Sequence, residues 1–589
     1  MGVTLLTVKP FSAVFYSIVK RHLAVVTVVS GWLLGSPTLH AADTHSPSII
    51  VRFEPIMVNG RNAFHVIESF PVQQPETEIV IPTHWGGAEH LEHQTQNLKI
   101  ESSEATLTDQ SAEAGHKVLH ARPGKRVQLS YNIVPQQTQW FQHPQEHMAI
   151  INTDYFLFNP QNALVYPKLQ LAGEVNVTFD WRALPSQIPI ITSFGIIQGG
   201  DRHRLTRVRA PWIEILDGLL AGGNFRLSES QSNGTRVVLA ARGIWRFSDA
   251  EVLKDVQRIF DEENRFWHAD TMPYFLVTLA PFDRRTGDND GSGFTNAYML
   301  FLSHEDIMDT ERLQLMAHEM FHHWNPMSMG TLGTDNVAQW FGEGFTVYYA
   351  GVILLRSGLT SYSDYVHILN QWLRRYQLSP FRQMSEAAWK SSPHFSGDGY
   401  SLPYERGAAM ALWADAAIRA RSNGKSSLDN VMFDLVRQSK TGNPAPDFTE
   451  ERVLSAFSPY LSKDEMQQLR SLAIAGADVP LPDKLAGCAV REKEIQSIVD
   501  PGFDQNASYA AKHVVGVVQN GPAYRAGIRD GQELFRWSIY NDDPSKDALL
   551  GVVIDGQKRM ITFSPVKQAP LEQYRPIVAS EASKDCSPF

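Results

Sequence analysis

The feature that most constrains this chain is a pair of histidines four residues apart, His318 and His322, with Glu319 next to the first. On a helix, positions i and i+4 lie on one face, so both imidazoles point toward one spot. We expect that helix to run from about residue 310 to 324. The apolar residues recur at helical spacing there, and Asn325-Pro326 ends the pattern because a residue before proline avoids the helical region.

A second helix is expected to follow and to bring a third ligand. Asp335 and Asn336 are good N-caps, and the helix should run to about Arg356, with Gly358 placed to end it. Glu343 lies in its first turns. Two histidines and one glutamate are a known catalytic ligand set for one zinc ion per chain, with one position left for water. The alternative is a chance HExxH pattern on a surface helix.

Composition narrows the class of protein. A chain of 589 residues should hold three or four domains, and a hydrophobic content of 43% with 20% charged residues is typical of a soluble globular protein. The formal charge of -10 speaks against nucleic acid or an anionic membrane as a partner. Cys488 and Cys586 are too few for a disulfide framework. In an oxidising compartment they could form one bridge, and the alternative is two free thiols.

Residues 1–41 have the pattern of a secretory signal. Lys9, Lys20 and Arg21 precede a short apolar run, Leu23 to Leu34, and Leu39-His40-Ala41 provides a cleavage site before Ala42. The apolar run is short for an uncleaved membrane anchor, which is the alternative. We therefore expect a periplasmic or secreted protein with no stable membrane span after signal removal.

The remaining chain predicts a multidomain α+β protein. Residues 48–194 carry short β-type runs and predict a β-rich N-terminal domain, in which His84, His90 and His93 are interpreted as surface histidines. Residues 199–485 begin with strands and continue with helices, and 288–293 is interpreted as an Asp/Gly-rich loop. Residues 489–570 predict a compact β-rich module, and 571–589 a polar, loose tail.

Several segments resemble one family of zinc peptidases. They read HEMFHHWN, WFGEGFTVYYAG, PYERGAAMALWADAAIR, SSLDNVM and GPAYRAGIRDGQ. These are similar to the glycyl aminopeptidase family, whose members combine a β-rich N-terminal domain, a thermolysin-like zinc domain and a C-terminal PDZ domain. The resemblance covers nearly the whole chain after the signal. It implies peptide or protein substrates, and a possible C-terminal peptide ligand bound where a strand starts at Gly502-Phe503.

The resemblance also implies residue roles. His318, His322 and Glu343 would be the zinc ligands, and Glu319 the general base. Tyr404 matches the tyrosine that stabilises the oxyanion in the related aminopeptidase-N family. Read alone, Tyr404 would be a packing residue, and Tyr400 is the other candidate donor.

The sequence departs from the family pattern at three places. Val347 replaces an aspartate of EGFTDYY, so an outer carboxylate for a ligand imidazole would have to come from elsewhere. Gln532 replaces the usual aspartate of the PDZ turn. The expected Gly-Gly-Leu-Glu-His segment reads GSGFTNAYM, without the glutamate that would hold the substrate's free amine.

This last departure affects substrate recognition. Asn296 and Tyr298 are the candidate substrate contacts in this segment, and Asp283, Asp288 or Asp290 could supply the missing charge from the adjacent loop. Without a charge-assisted contact to the ammonium group, the need for a free N-terminus should relax.

Two functions remain open from the sequence. The first is an exported zinc peptidase. The second is a catalytically weak or inactive scaffold that keeps the peptidase fold and acts through its PDZ-like and β-rich domains. The intact HExxH and Glu343 favour the first, whereas the altered GSGFTN segment and Val347 favour the second.

Overall fold

The computed structural model describes most of the chain after residue 47. The described ranges are 48–86, 88–109, 114–136, 147–168, 173–269, 272–282, 289–332, 338–391, 401–442, 446–485, 489–540 and 543–577. The predicted signal segment, the N-caps Asp335 and Asn336, and the residues Asp283, Asp288, Tyr400, Cys488 and Cys586 lie outside these ranges. Within them, no helix has the length and apolar character needed to cross a membrane.

The N-terminal part of the chain is built almost entirely from strands that alternate buried and exposed residues, as the sequence predicts. Its strands are β1 Ser48–Val58, β2 Arg61–Pro71, β3 Glu76–Val80, β4 His84–Trp85, β5 Ala88–Glu89, β6 Thr95–Ile100, β7 Thr106–Asp109, β8 His116–His120, β9 Arg126–Ile133, β10 Ile150–Ile151, β11 Tyr155–Phe158, β12 Tyr166–Pro167, β13 Glu174–Asp180, β14 Ile190–Thr192, β15 Gly195–Ile197, β16 Leu205–Pro211 and β17 Leu220–Gly223. Short helices α1 Pro160–Ala163 and α2 Trp212–Leu216 and a 3₁₀ turn Leu91–Gln94 interrupt them.

These strands form three larger sheets, with orders β16-β13-β1-β2-β9-β6, β10-β11-β17-β14-β15 and β12-β3-β8-β7. Aromatic side chains fill the core between them, and Phe53 stacks on Trp181 with ring centroids 4.4 Å apart. Because β16 and β17 belong to these sheets, this β-rich region continues to Gly223, past the predicted boundary at residue 194. His90 and His93 are exposed side chains of this region, as expected for surface histidines.

The next part of the chain is a mixed sheet followed by helices. Its elements are β18 Arg226–Ser232, β19 Thr235–Ala241, α3 Asp249–Trp267, β20 Tyr274–Phe282, β21 Asn289–Phe294, β22 Ala297–Ser303, α4 Thr310–Phe321, β23 Thr331–Leu332, α5 Gln339–Gly342, α6 Gly344–Arg356, α7 Tyr362–Leu378, α8 Glu386–Lys390, α9 Leu402–Ser422, α10 Leu428–Thr441, β24 Asp447–Phe448, α11 Glu450–Ala456, α12 Lys463–Arg470 and a π-helical turn Ser471–Ala475.

The five-stranded sheet of this part has the order β18-β19-β20-β22-β21. Its three inner strands are parallel, while β18 and β21 run antiparallel at the two edges. Residues 289–293 of the segment interpreted from the sequence as a loop therefore belong to the edge strand β21 instead. Its glycines permit this, because β21 lies so close to α4 that side chains would not fit there.

Residues 366–383 and 478–577 form a second compact unit. Its remaining elements are β25 Lys484–Leu485, β26 Ala489–Val499, α13 Gln505–Ala511, α14 Pro522–Arg525, β27 Leu534–Ser538, β28 Ala548–Ile554, β29 Gln557–Phe563 and β30 Val566–Pro576. They form two three-stranded sheets, with orders β25-β26-β30 and β27-β28-β29. The loose tail predicted from residue 571 is wrong as far as Pro576, because β30 pairs with β26 over its whole length.

The strand predicted at Gly502-Phe503 is not formed. Helix α13 begins two residues later, and the carboxylate of Asp504 accepts the N–H of Ala507 as its N-cap. The short helix α14 follows directly after Gly521.

The open edge of β30 is covered by side-chain amides from α7. Asn370 exchanges two hydrogen bonds with the backbone of Tyr574, at 2.7 and 2.8 Å. Gln377, two turns further along the helix, does the same with the backbone of Glu572, at 2.7 and 2.8 Å. Each amide therefore takes the place of a neighbouring strand.

Candidate metal centre and active site

The zinc-type motif lies on α4, a helix that is buried along nearly its whole length. It begins where the side chain of Asp309 accepts the N–H of Arg312 (3.1 Å) and ends at His322, just before Asn325-Pro326. The predicted helix is thus present, two to three residues shorter at its C-terminal end. Glu343 lies between α5 and α6, so the predicted second helix is divided at the glutamate.

His318, His322 and Glu343 meet at one point. The Nε2 atoms of the two histidines are 3.0 Å apart, and each is 3.4 Å from Oε2 of Glu343. A point equidistant from these three atoms lies about 1.9 Å from each in their plane, close to the ~2.0–2.2 Å of zinc–ligand bonds. The three residues are buried, and they are the one such group of potential ligands among the described residues. The donor set therefore fits Zn²⁺.

Asn325 connects the two segments that carry the ligands. Its backbone carbonyl accepts the Nδ1–H of His322 (2.9 Å), which leaves Nε2 free of a proton for the metal. Its side-chain amide donates to the carbonyl of Phe341 (3.2 Å) and to Oγ1 of Thr346 (3.0 Å), on either side of Glu343. One fully buried residue thus orients a histidine ligand and holds the turn that presents the glutamate.

The electrostatics of the three groups favour a cation between them. Burial alone would raise the pKa of Glu343, but the charge of His322 and hydrogen bonds from both imidazoles hold it at about 2. Burial lowers the pKa of His318 to about 4, whereas at His322 burial is outweighed by the carboxylate of Glu343 and the pKa rises to about 9. The site retains one positive charge beside an ionised carboxylate, and a divalent cation supplies that charge without a proton.

Glu319 faces the edge strand β21. An ideal Cβ on Gly291 would lie 2.8 Å from its Cγ and 3.1 Å from its carboxyl carbon, and one on Gly293 would lie 3.3 Å from Cβ of His322. Only glycine fits at Gly291 without displacing the carboxylate. The backbone of β21 therefore forms one wall of the site, at contact distance from Glu319.

Tyr404 stands on another wall, in the first turn of α9. Its ring lies 6.0 Å from the ring of His318, at an interplanar angle of 25°. Two glycines bring α9 this close: an ideal Cβ on Gly344 would lie 2.2 Å from Cα of Gly407, and one on Gly407 would lie 2.0 Å from the carbonyl oxygen of Trp340. The motifs around Glu343 and Tyr404 are therefore in backbone contact.

Other predicted residues lie elsewhere. Asn296 is in the two-residue turn between β21 and β22 with a φ of 52°, and its carbonyl accepts the N–H of Leu276 (3.0 Å). Tyr298 is fully buried on β22. Asp290 is paired with His147 (3.6 Å). Val347 is buried, and the outer partner of His322 is the backbone carbonyl of Asn325.

Sequence reasoning missed several residues of the site. In the sequence, Asn325 indicates only the end of a helix, although an asparagine three residues after the second histidine is within reach of that imidazole. Gly291 and Gly293 signalled a close backbone approach, which was interpreted as a loop. His147 comes from the N-terminal β-rich region, and no local pattern links it to β21.

One known protein family has a model that matches the segment carrying this candidate site. Residues 311–401, which include the metal-binding residues, match the model of the M61 glycyl aminopeptidase family. The resemblance seen in the sequence is thereby confirmed for this segment. No curated protein sequence matches the chain.

Solved structures support the same fold. A crystal structure of an aminopeptidase N family protein from Idiomarina loihiensis is similar with a TM-score of 0.68 and 16% identity, covering 92% of this chain and 100% of that one. An M1 zinc metallopeptidase from Deinococcus radiodurans has a TM-score of 0.48 and 15% identity, covering 75% and 97%. The similarity to the Idiomarina loihiensis structure confirms the multidomain α+β fold predicted from the sequence, and the match to the M61 family model supports the predicted zinc metallopeptidase class.

Proposed function

We propose that this chain is an exported zinc peptidase of the aminopeptidase type, with a relaxed need for a free substrate N-terminus. The observation that carries the catalytic part is the meeting of His318, His322 and Glu343 around one point, with Glu319 beside them. Export is supported by the signal pattern of residues 1–41.

The chemistry is hydrolysis of a peptide bond. Bound zinc would polarise the scissile carbonyl and lower the pKa of a water molecule. Glu319 takes the proton of that water as it attacks, and then delivers the proton to the leaving amine. The hydroxyl of Tyr404 donates a hydrogen bond to the developing oxyanion.

The substrate's main chain is held along β21. Phe294 and Ala297 flank a two-residue turn and form a hydrogen-bonded pair between β21 and β22. Hydrogen-bonded and non-hydrogen-bonded pairs alternate along antiparallel strands, so the N–H and C=O groups of Gly291 and Gly293 point away from β22, toward the open edge. An extended peptide can add there as a further strand, with its scissile bond close to Glu319.

The environment of β21 supports the relaxed need for a free N-terminus. Phe294 is buried against Trp85, with ring centroids 5.7 Å apart, so this end of the strand is apolar. Asp217 contacts Thr295 in the adjacent turn (3.5 Å), but burial raises its pKa to about 8, so this carboxyl is mostly neutral near pH 7. Asp290 is paired with His147. None of these groups offers an unpaired negative charge to an ammonium group.

The catalytic assignment is tested with Glu319→Gln. Zinc content and fold should be preserved, because the three ligands remain, while hydrolysis of a peptide mixture followed by mass spectrometry should be lost. His322→Ala should lose zinc as well. Near-normal turnover by Glu319→Gln would refute the proposed mechanism. A zinc-loaded wild type that cleaves nothing would leave the scaffold alternative.

The relaxed specificity is tested with one small-residue peptide in free and N-acetylated form. A charge-assisted contact of about 1.5–3 kcal/mol corresponds to one to two orders of magnitude in preference. Without it, the kcat/KM values of the two forms should differ by about tenfold or less. Hydrolysis of the free form alone would restore an ordinary aminopeptidase.

A further inference from the structure

The two faces of β21 contact different parts of the molecule. Gly291 and Gly293 face α4 and the catalytic residues, so the alternating residues Asp290, Ser292 and Phe294 face the other way. That opposite face packs against the N-terminal β-rich region. Residues far away in the sequence therefore support the wall along which substrate would lie.

His147 is the polar contact on that face. Its Nε2 lies 3.4 Å from Oγ of Ser292 and 3.6 Å from Oδ1 of Asp290. Its Nδ1–H donates to the carbonyl of Gly86. Since Nδ1 carries a proton, Nε2 either accepts from the serine hydroxyl or, when protonated, pairs with the aspartate. In either state the imidazole joins the N-terminal region to β21.

Packing fixes the orientation of this imidazole. The ring of Trp85 meets it edge-on, with centroids 5.4 Å apart and an interplanar angle of 90°, and lies parallel to the ring of Phe294 on β21. The side chain of His147 is 1% exposed. A buried imidazole held by two polar contacts and an aromatic ring has little freedom to move.

Asp290 carries the contact to the open edge of the strand. The oxygen that faces His147 also accepts the N–H of Gly291 (2.8 Å). This occupies one of the backbone donors that would otherwise point toward substrate. The carbonyl of Gly291 and both backbone groups of Gly293 remain for an incoming peptide.

We propose that His147 is a positioning residue, through which the N-terminal β-rich region fixes the position of the substrate-binding edge of β21 relative to the catalytic residues on α4. The proposal rests on the proposed peptidase function. A misplacement of about 1 Å in a site of this kind can cost a hundredfold in rate. Because the edge would bind the peptide backbone before and during reaction, loosening it should mainly raise KM.

The test compares His147→Ala and His147→Gln with the control His65→Ala. His65 lies in the same region but on β2, where its ring pairs with Asn132 (2.9 Å). KM is measured for an unblocked alanine hexapeptide, and Ki for acetohydroxamate, a small ligand that needs the metal and not the strand. We expect His147→Ala to raise KM tenfold or more with Ki within twofold and zinc content unchanged. His147→Gln should recover part of the loss, and His65→Ala should behave as wild type.

Two results would overturn the proposal: an unchanged KM in His147→Ala, or a Ki that rises together with KM, which would indicate general loosening. If His147→Ala does not fold, Ser292→Ala removes the strand-side partner and should raise KM by a smaller factor. An active wild type with unaltered KM in these variants refutes this inference alone. A zinc-loaded wild type that hydrolyses no peptide refutes the proposed function instead.

Discussion

At the scale of single residues, the site depends on how its ligands are held. Asn325 accepts a hydrogen bond from a histidine ligand at its backbone carbonyl and holds the glutamate segment through its side-chain amide, so one residue links two motifs that are separate in the sequence. Outer partners of this kind fix the orientation of ligands and typically contribute 10- to 100-fold to metal affinity.

Asn325→Ala should therefore lower zinc affinity by about 10- to 100-fold, because the turn that carries Glu343 loses its anchor. Competition with a chromogenic chelator measures the Kd. Ser328→Ala is the matched control, since it removes a hydrogen bond to the carbonyl of His323 (2.8 Å) in the same turn without touching a ligand. Equal affinities in both variants would contradict the role of Asn325.

Tyr404 is expected to act through a single group, its hydroxyl, which donates a hydrogen bond to the oxyanion. Tyr404→Phe should lower kcat by about a hundredfold with little change in KM or zinc affinity, since the hydrogen bond forms to the oxyanion. Steady-state kinetics on one peptide decide this. A loss seen at Tyr400→Phe and absent at Tyr404→Phe would reassign the donor.

At the scale of elements, α6 and α9 cross in backbone contact. Gly344→Ala should destabilise the protein by about 3 kcal/mol or more, because the new methyl group would overlap the backbone at Gly407. Gly342→Ala is the matched control: its Cβ would lie 3.8 Å from the ring of Pro326, an ordinary contact. Thermal unfolding compares the two, and similar melting temperatures would argue against the close crossing.

The carboxyl groups of Glu386 on α8 and Glu450 on α11 form a pair, which also contacts α5 just before Glu343. Trp340 donates its indole N–H to Glu450 (3.2 Å), and Lys390 pairs with Glu386 (2.7 Å). Burial, followed by the hydrogen bond and charge of Glu386, raises the pKa of Glu450 to about 7. The folded state thus keeps a proton that the unfolded state releases above about pH 4.5, so this group lowers stability as the pH rises to about 7.

Glu450→Gln should remove this fall in stability with rising pH. Relative to wild type, the variant should gain about 1 kcal/mol in free energy of unfolding between pH 5 and pH 8, after allowance for partial exposure of the carboxyl. Urea unfolding at both pH values measures it. Glu451→Gln is the control: Arg470 lowers the pKa of that exposed carboxyl, so it is ionised in both states from pH 5 to pH 8 and the variant should show the same change over that range as wild type. Parallel pH profiles for Glu450→Gln and wild type would contradict the assignment.

Elements with strong periodicity could be predicted from the sequence, and sparse or close-packed ones could not. Helix α3 is of the first kind, because Ser248 and Glu251 form a capping box before an amphipathic run. The ligands of the metal were found because two of them share a helix face. By contrast, the sequence of β21 does not indicate a strand, because its glycines are typical of a loop. Helix α13 differs from the predicted strand because Asp504 caps a helix at that point.

At the scale of the whole molecule, the pairing of β26 with β30 brings the chain segments next to the two cysteines to the same end of a sheet. Ala489 pairs with Pro576, so the segments leading to Cys488 and Cys586 leave the same end of the ladder. The residues between Pro576 and Cys586 are enough to span back to Cys488.

We therefore predict one disulfide between Cys488 and Cys586 when the protein is in an oxidising compartment. Thiol titration of denatured, unreduced protein should find no free thiol, and reduction should release two. Two thiols without reduction would contradict the bridge.

The amides of Asn370 and Gln377 on the edge of β30 have a consequence for dissecting the protein. The second unit is discontinuous in sequence, since residues 366–383 precede the bulk of it. A fragment that starts at residue 478 looks like a natural choice for separate production, but it lacks both amides. Its strand edge would be bare, and bare edges recruit strands from other copies. Such a fragment should self-associate, and a linker that restores the α7 segment should keep it monomeric.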